Sequence, residues 1–273
     1  AGFLPFQKSM SGVFRPLGGP MGDHHGLVTD DPDLRFIDQL KAGLFGTLIY
    51  DGALASQAEL GENGHSPEAS WVVDLSDGQD AYWEGRQKAE AKTMRNLRAR
   101  ERKLGELGGE VVYRIDDTRS EALDTLMTYK RAQYAATGAT DVFHGAWARQ
   151  LVAALMQHRS DRLAGCLSTM ELDGRVVAAH FGMRSRDVLH YWFPAYDPKL
   201  SNVAPGLLLF REMTRELTDL GPTHMHLGPG TYDFKKRFSN ASFDIMRGEI
   251  SSLSLSSAAL AAGRGLDRLA SAL

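Results

Sequence analysis

Little in this sequence offers a shortcut to its function. It has a single cysteine, Cys166, so no internal disulfide can staple it and the fold does not depend on an oxidising compartment; a cytoplasmic setting is the expectation. No window approaches the ~18 uninterrupted apolar residues that a membrane helix needs. The first seven residues lack a basic segment followed by a long apolar one, the architecture of a signal peptide. Neither sign of charge dominates, with Lys plus Arg at 31 against Asp plus Glu at 34 and a net charge of -3, so there is no global pull toward nucleic acid or membrane. An electrostatic partner must meet a local patch. There is no repeat by sequence identity either.

What is present is a chain of 273 residues, 43% hydrophobic and 24% charged, which suits one large core or two smaller ones and excludes a collagen-like or disordered chain. Residue 1 is Ala, and residues 2–6 read as a strand in progress, so an amino-terminal piece is expected to be missing. Residues 2–28 are short apolar runs broken by Gly and Pro, as in strands joined by turns. Leu34, Ile37, Leu40 and Leu44 give 31–45 a helical period. A strand over 47–50, a short helix and a strand over 71–75 complete this part.

The stretch 79–107 contains no Pro and reads as one helix of ~40 Å. Lys88, Lys92, Arg95 and Arg102 share one sector of it, opposite Trp83, Met94, Leu97, Leu104 and Leu107. It serves as a connector between two halves, and its basic stripe reads first as a solvated face and second as an anion-binding surface. Beyond Gly108-Gly109 the pattern predicts a strand over 110–115, helices over 120–136 and 146–157, and strands over 163–172, 176–185 and 188–196, with Asp173-Gly174 as a hairpin turn. A helix over 206–220 and strands over 224–227 and 243–250 follow, with a helical turn or loop over 232–238 between them. The order is an antiparallel meander extended by one crossover, whose last strand should lie parallel to the strand before the helix. The Ala/Ser/Leu-rich stretch 254–273 reads as a helix.

Two stretches carry chemistry. After Tyr196 a turn-rich loop, Asp197-Pro198-Lys199-Leu200-Ser201-Asn202-Val203-Ala204, leads to Pro205-Gly206, where proline suits the first helical turn. A free helix amino terminus at the end of a central strand can take a phosphate, and Gly206 would let a pyrophosphate approach the backbone. An ordinary strand-to-helix connection fits the composition equally well. The second stretch is His226-Leu227-Gly228-Pro229-Gly230-Thr231-Tyr232-Asp233-Phe234-Lys235-Lys236-Arg237-Phe238. Its Tyr, Asp, Lys and Arg arrive at the same end of the sheet, where a cation could steady developing negative charge; a plain surface turn is the alternative.

Together with the run Leu172-Asp173-Gly174-Arg175-Val176-Val177-Ala178-Ala179-His180, these stretches make residues 78–250 resemble the CelD/BcsL acetyltransferase family of the GNAT superfamily, related in fold to the FemAB peptidoglycan aminoacyltransferases. The resemblance implies an α+β, tandem GNAT-like fold, with mixed, mostly antiparallel sheets flanked by helices. It divides the chain into an amino-terminal GNAT-like half, truncated, at 1–76, a connecting helix at 77–107, an acyl-CoA-binding domain at 108–252 and a tail helix at 253–273. It implies an acyl-CoA-dependent N-acyltransferase moving an acetyl or other acyl group from acetyl-CoA or another acyl-CoA to an amine of a sugar or cell-envelope precursor. The pantetheine arm would lie along 191–196, including Trp192 and Phe193, and the pyrophosphate on amides near Ala204, Gly206 and Leu207 beside Pro205. The sequence lacks the glutamine-or-arginine and paired-glycine signature of ordinary GNAT enzymes at this loop. It also has His226 and Phe234 where family members more often carry Asp and Tyr.

For the transfer, Lys235 is the first choice of functional side chain, its role by resemblance being charge stabilisation of the tetrahedral intermediate or substrate positioning. Candidate bases are Asp233, Asp197 and His180, the last reading more readily as a core histidine. Tyr196 or Tyr191 could protonate the departing thiolate. His224 and His226 share a strand face but lack a third ligand at recognisable spacing, so no metal is expected. Cys166 reads as a buried structural thiol and Asp23-His24-His25 as a polar loop. The rival readings are a FemAB-type aminoacyltransferase using aminoacyl-tRNA, with the 88–103 helix contacting RNA, and a non-catalytic GNAT-like module in polysaccharide assembly. Nucleic acid is disfavoured as a partner by the net charge, and an integral membrane segment is not expected.

Overall fold

The structure, a computed structural model, describes residues 2–10, 12–31, 33–43 and 46–251. It divides into two compact units, one built by the described residues up to Ser70 together with those from Phe243 onward, the other by Trp71–Ser242.

In the first unit β1 (Gly2–Phe3) pairs antiparallel with β4 (Val28–Thr29). β2 (Phe6–Lys8) pairs antiparallel with β3 (Val13–Pro16), which lies parallel to β5 (Thr47–Leu54). β5 in turn pairs antiparallel with the last of the described strands, Ala241–Ser251. Leu48, Tyr50 and Ala53 of β5 are buried with Phe14, Ile37 of α1 (Ile37–Gly43) and Leu60 of α2 (Ala58–Glu62). The Tyr50 hydroxyl donates to the Leu60 carbonyl at 2.8 Å, which satisfies the polar end of a buried ring. The helix expected over 31–45 begins only at Ile37, because the Glu59 carboxylate on α2 accepts from the Phe36 and Ile37 amides and so supplies the cap from outside the segment.

The second unit starts with the end of β6 (Gly64–Asp74) and continues through α3 (Gln79–Ala89), α4 (Ala91–Glu106), β7 (Val111–Asp117), α5 (Ser120–Thr137) and α6 (Ala146–Gln157). Then come β8 (Ala164–Leu172), β9 (Arg175–Arg184), β10 (Val188–Tyr196), α7 (Pro205–Glu216), β11 (His224–Pro229) and α8 (Asp233–Phe238). The strand order is β6-β11-β10-β9-β8-β7. From β7 to β10 every neighbour is antiparallel, and β11 lies parallel to β10, as the crossover through α7 requires. Asp173 and Gly174 both take positive φ, the geometry of a two-residue hairpin turn.

Helices cover both sides of this sheet. α5 packs on β9 and β10 and α6 on β8, while α7 brings Leu208, Leu209, Phe210 and Met213 onto the buried faces of the strands. α4 lies against α7 through Met94, Leu97 and Leu104, and Glu101 holds Arg211 with two hydrogen bonds of 2.8 Å.

The single helix expected over 79–107 is two helices, broken at Glu90 (φ -129, ψ 44). Neither Pro nor Gly marks the break; α3 is drawn to the segment after α8, where the Tyr82 hydroxyl donates to Phe238 O at 2.5 Å and Arg86 to Ser239 O, while α4 buries its own stripe on α7. The helix expected over 206–220 ends as α-helix at Glu216 and finishes as a tighter 3-10 turn over Leu217–Leu220. The expected tail helix at 253–273 lies outside the described residues. Among the described residues no helix is long and apolar enough to cross a membrane.

Candidate functional site

β10 and β11 begin as partners and then part. Their pairing covers Val188↔His224, Leu189↔Met225 and His190↔His226, yet β10 runs on to Tyr196 and β11 to Pro229. The cause lies in β10, whose register against β9 shifts between His190 and Phe193. Such an irregularity bends the strand and increases its local twist. The Trp192 amide leaves the ladder and donates to the ring Nε2 of His180 at 3.2 Å. That contact leaves Nε2 as an acceptor, so the imidazole is neutral with any proton on Nδ1. Burial, with His190 and Lys130 nearby, pushes the His180 pKa well below its ordinary value. His180 is thus a core histidine that holds the bulge, and its ring stacks on Tyr191 with centroids 4.2 Å apart.

Beyond the bulge the alternation of backbone groups is fixed. Asp197 N–H donates to Val177 O of β9 at 2.9 Å, and the pairs Ala195↔Ala179 and Phe193↔Phe181 keep the same phase. Hence Pro194 and Tyr196 turn their backbone groups the other way, into the opening toward β11. Trp192 and Phe193, expected to line the arm, are placed differently: the Trp192 amide is taken by His180, and Phe193 is buried against Phe143 with centroids 4.8 Å apart. A proline at position 194 costs no ladder bond, because its missing N–H would have pointed into the gap.

At the mouth of this opening α7 begins. Ala204 is its cap with a left-handed backbone (φ 50), and Pro205 fills the first position. Of the three amides expected to meet a pyrophosphate, Ala204 N–H already donates to Ser201 O at 3.2 Å and Leu207 N–H to Ala204 O at 3.0 Å. The Gly206 amide alone of the three has no acceptor among the described residues. A Cβ at Gly206 would meet the Tyr196 ring at 3.5 Å, so Tyr196 and Gly206 share one corner of the site. Arg100 of α4 donates to Asn202 O, which ties the basic helix to this loop.

α8 contributes the opposite lip. Lys235 Nζ donates to Pro229 O at 2.5 Å, at the end of β11. Below it Phe234 and Phe238 pack with Phe210 and Tyr191 in a continuous aromatic cluster, and burial raises the Tyr191 pKa, so that ring serves as packing. Asp233 is not brought to Lys235: its carboxylate is largely exposed and lies 3.2 Å from Arg237 one turn along. Asp197 is buried and occupied, accepting from Arg175 at 2.8 Å and from the Lys199 amide at 3.0 Å.

Lys130 stands outside both turn-rich stretches. On α5 it donates to Pro194 O and to Gln133 Oε1, both at 3.1 Å. Burial, and then the charge of Lys235, bring its pKa down to about 8. No motif surrounds it in the sequence; only the packing of α5 on β10 puts its ammonium at the gap. The remaining candidates lie elsewhere. His224 is near Asp74 (3.6 Å) and Thr223 (3.0 Å), and buried Cys166 has its thiol pKa pushed up to about 11 by burial. In the first unit His24 bonds to Ser70 Oγ and His25 to Pro5 O, so this run is tied into its own unit.

A family model described as an acetyltransferase (GNAT) domain matches residues 91–236, from α4 into α8. Comparison with curated proteins gave no match. Among solved structures the chain is similar to FemX, at 11% identity and a TM-score of 0.58, covering 91% of this chain and 83% of that one. It is also similar to the C-terminal domain (DUF2156) of a protein from Agrobacterium fabrum assigned as a lysylphosphatidylglycerol synthetase, at 13% identity and 0.56, covering 90% and 80%. A conserved protein of unknown function from Bacteroides thetaiotaomicron aligns at 11% and 0.53, covering 86% and 78%. These likenesses speak for the fold: a GNAT-type mixed sheet flanked by helices.

Proposed function

The chain belongs to the acetyltransferase (GNAT) domain family, and from that premise we propose that it is an acyltransferase that moves an acetyl or other acyl group from acyl-CoA to an amine. The observation that carries the reading is the parting of β10 from β11 after His190↔His226, with α7 opening at its mouth. A strand edge without a partner can take an extended ligand as if it were an added strand, and the pantetheine arm of CoA is such a ligand. Tyr196 offers its backbone to the arm, and the Gly206 amide, with the positive end of α7, meets the pyrophosphate. Lys235 steadies the tetrahedral oxyanion, and Tyr196, 40% exposed beside Gly206, is placed to protonate the leaving thiolate. The acceptor, an amine of a sugar or cell-envelope or exopolysaccharide precursor, follows from the resemblance to the CelD/BcsL family.

The test is calorimetric titration with acetyl-CoA. Binding by the wild type, its loss in Gly206→Asp and its retention in Gly206→Ala are the expected outcome. Unchanged binding by Gly206→Asp overturns the pyrophosphate assignment.

One observation favours a second reading. The opening edge of β10 is short of hydrogen-bonding groups, since Pro194 has no N–H and its carbonyl is taken by Lys130. A donor held mainly by its nucleic-acid part would need less of that edge, as an aminoacyl-tRNA would, with the exposed basic face of α4 as its contact. Binding to tRNA that weakens steeply with salt, in a protein that does not bind acetyl-CoA, would establish this instead.

A further inference from the structure

Two lysines from different helices reach the two lips of the same strand opening: Lys130 of α5 meets Pro194 O on β10, and Lys235 of α8 meets Pro229 O on β11. They are close enough for the charge of Lys235 to act on Lys130. We propose that Lys130 is the general base of the transfer, taking the proton of the acceptor amine while Lys235 faces the oxyanion. The inference rests on the acyl-CoA-to-amine reading and deepens it.

The stereochemistry of the Lys130 nitrogen supports the role. Its two partners, the Pro194 carbonyl and Gln133 Oε1, are both neutral acceptors. A neutral amine has two hydrogens and one lone pair, so both acceptors stay satisfied when Nζ is deprotonated, with the lone pair at the remaining vertex. The Pro194 carbonyl that anchors this nitrogen faces the gap, as the phase of β10 against β9 dictates. The other titratable groups around it are His180 on β9, buried and neutral, Tyr134 one turn along α5 with its ring centroid 5.3 Å from Nζ, and Lys235. Burial and the repulsion from Lys235 bring the Lys130 pKa to about 8, so near that pH about half of it is in the basic form.

The step balances. The acceptor nitrogen forms its bond to the acyl carbon, and the carbonyl π pair moves onto oxygen opposite Lys235. The nitrogen's surplus proton passes to Lys130 Nζ. Collapse of the intermediate breaks the C–S bond, and the thiolate of CoA leaves with a proton returned from the site. Asp233 and Asp197, the carboxylates considered from sequence, are respectively exposed beside Arg237 and engaged by Arg175, so neither competes for this position.

The experiment uses acetyl-CoA and glucosamine as probes, with thiol release followed from about pH 6 to about pH 10. It also follows Lys130 by NMR of isotopically methylated lysines in the protein without ligands. The wild-type rate should rise with a midpoint near pH 8. Lys130→Arg, which keeps charge and length, and Lys130→Gln should each lose on the order of 100-fold in kcat and that midpoint, with the acetyl-CoA KM within about twofold. Lys235→Met should move the Lys130 titration upward. Retention of the wild-type rate and pH profile by either Lys130 variant overturns the proposal. If the wild type binds acetyl-CoA but does not acetylate glucosamine, the NMR titration decides: a Lys130 signal that titrates together with the surface lysines overturns it, and one near pH 8 that rises in Lys235→Met supports it. Failure of the wild type to bind acetyl-CoA overturns the acyl-donor reading, and is seen without any Lys130 variant.

Discussion

Single residues decide how this site is built, and glycine shows it at two positions with opposite consequences. A Cβ at Gly182 would overlap the His190 carbonyl and lie 2.8 Å from the His180 ring, against the bulge that parts β10 from β11. Gly182→Ala should therefore cost about 1–3 kcal/mol in urea unfolding and reduce acetyl-CoA binding, because the ring that takes the Trp192 amide is displaced. At Gly206 the added methyl meets only an ordinary contact at 3.5 Å, so Gly206→Ala should leave stability within about 0.5 kcal/mol of the wild type. Asp197→Ala removes the acceptor of the Lys199 amide and of Arg175 together; a loss of about 1–2 kcal/mol is expected by the same measurement. Lys235, Gly206 and Tyr196 could be picked out from a sequence because they stand in turn-rich stretches. Lys130 could not, since on α5 it is one cation among exposed ones until the helix is laid on β10.

Elements carry the next set of consequences. The meander, the hairpin at Asp173-Gly174 and the crossover through α7 were legible, since alternation, turn chemistry and spacing are local properties of the chain. The bulge in β10 was not, because the one-residue change of phase comes from a fully buried imidazole replacing a strand partner, and it turned Pro194 and Tyr196, in place of Phe193 and Ala195, toward the gap. The break between α3 and α4 was equally invisible, for its cause is a difference in what the two helices are packed against. At the sheet edge, β7 and β8 hold Asp117. Burial alone would raise its pKa, and hydrogen bonds from Arg119 and Thr169 more than reverse this, keeping the carboxyl below its ordinary value. A lowered carboxyl contributes stability that is complete above its unfolded pKa and is lost as pH falls through the folded one. Asp117→Asn should therefore destabilise the protein at pH 7 and flatten the fall in stability below about pH 4, read by urea unfolding across pH.

At the scale of the whole molecule, a ligand that binds only the folded state adds stability by mass action. Acetyl-CoA at about a hundredfold over its Kd should raise the unfolding free energy by about 2.7 kcal/mol, a shift of several degrees in Tm, and Gly206→Asp should abolish the shift. The near balance of charge conceals a local separation, with Lys88, Lys92, Arg95 and Arg102 exposed on α3 and α4, and Lys130 and Lys235 facing one opening. By itself the sequence determined the α+β class, the order of strands and helices, and the turn-rich stretches that flank the site, because periodicity, proline and glycine act on their immediate neighbours. Tertiary structure alone decided which backbone groups of β10 stay open, where the long basic helix breaks, and that a lysine from α5 bonds to a carbonyl of β10 while one from α8 bonds to a carbonyl of β11. Each of these depends on burial and on charge acting between residues far apart in the chain, and no local pattern encodes them.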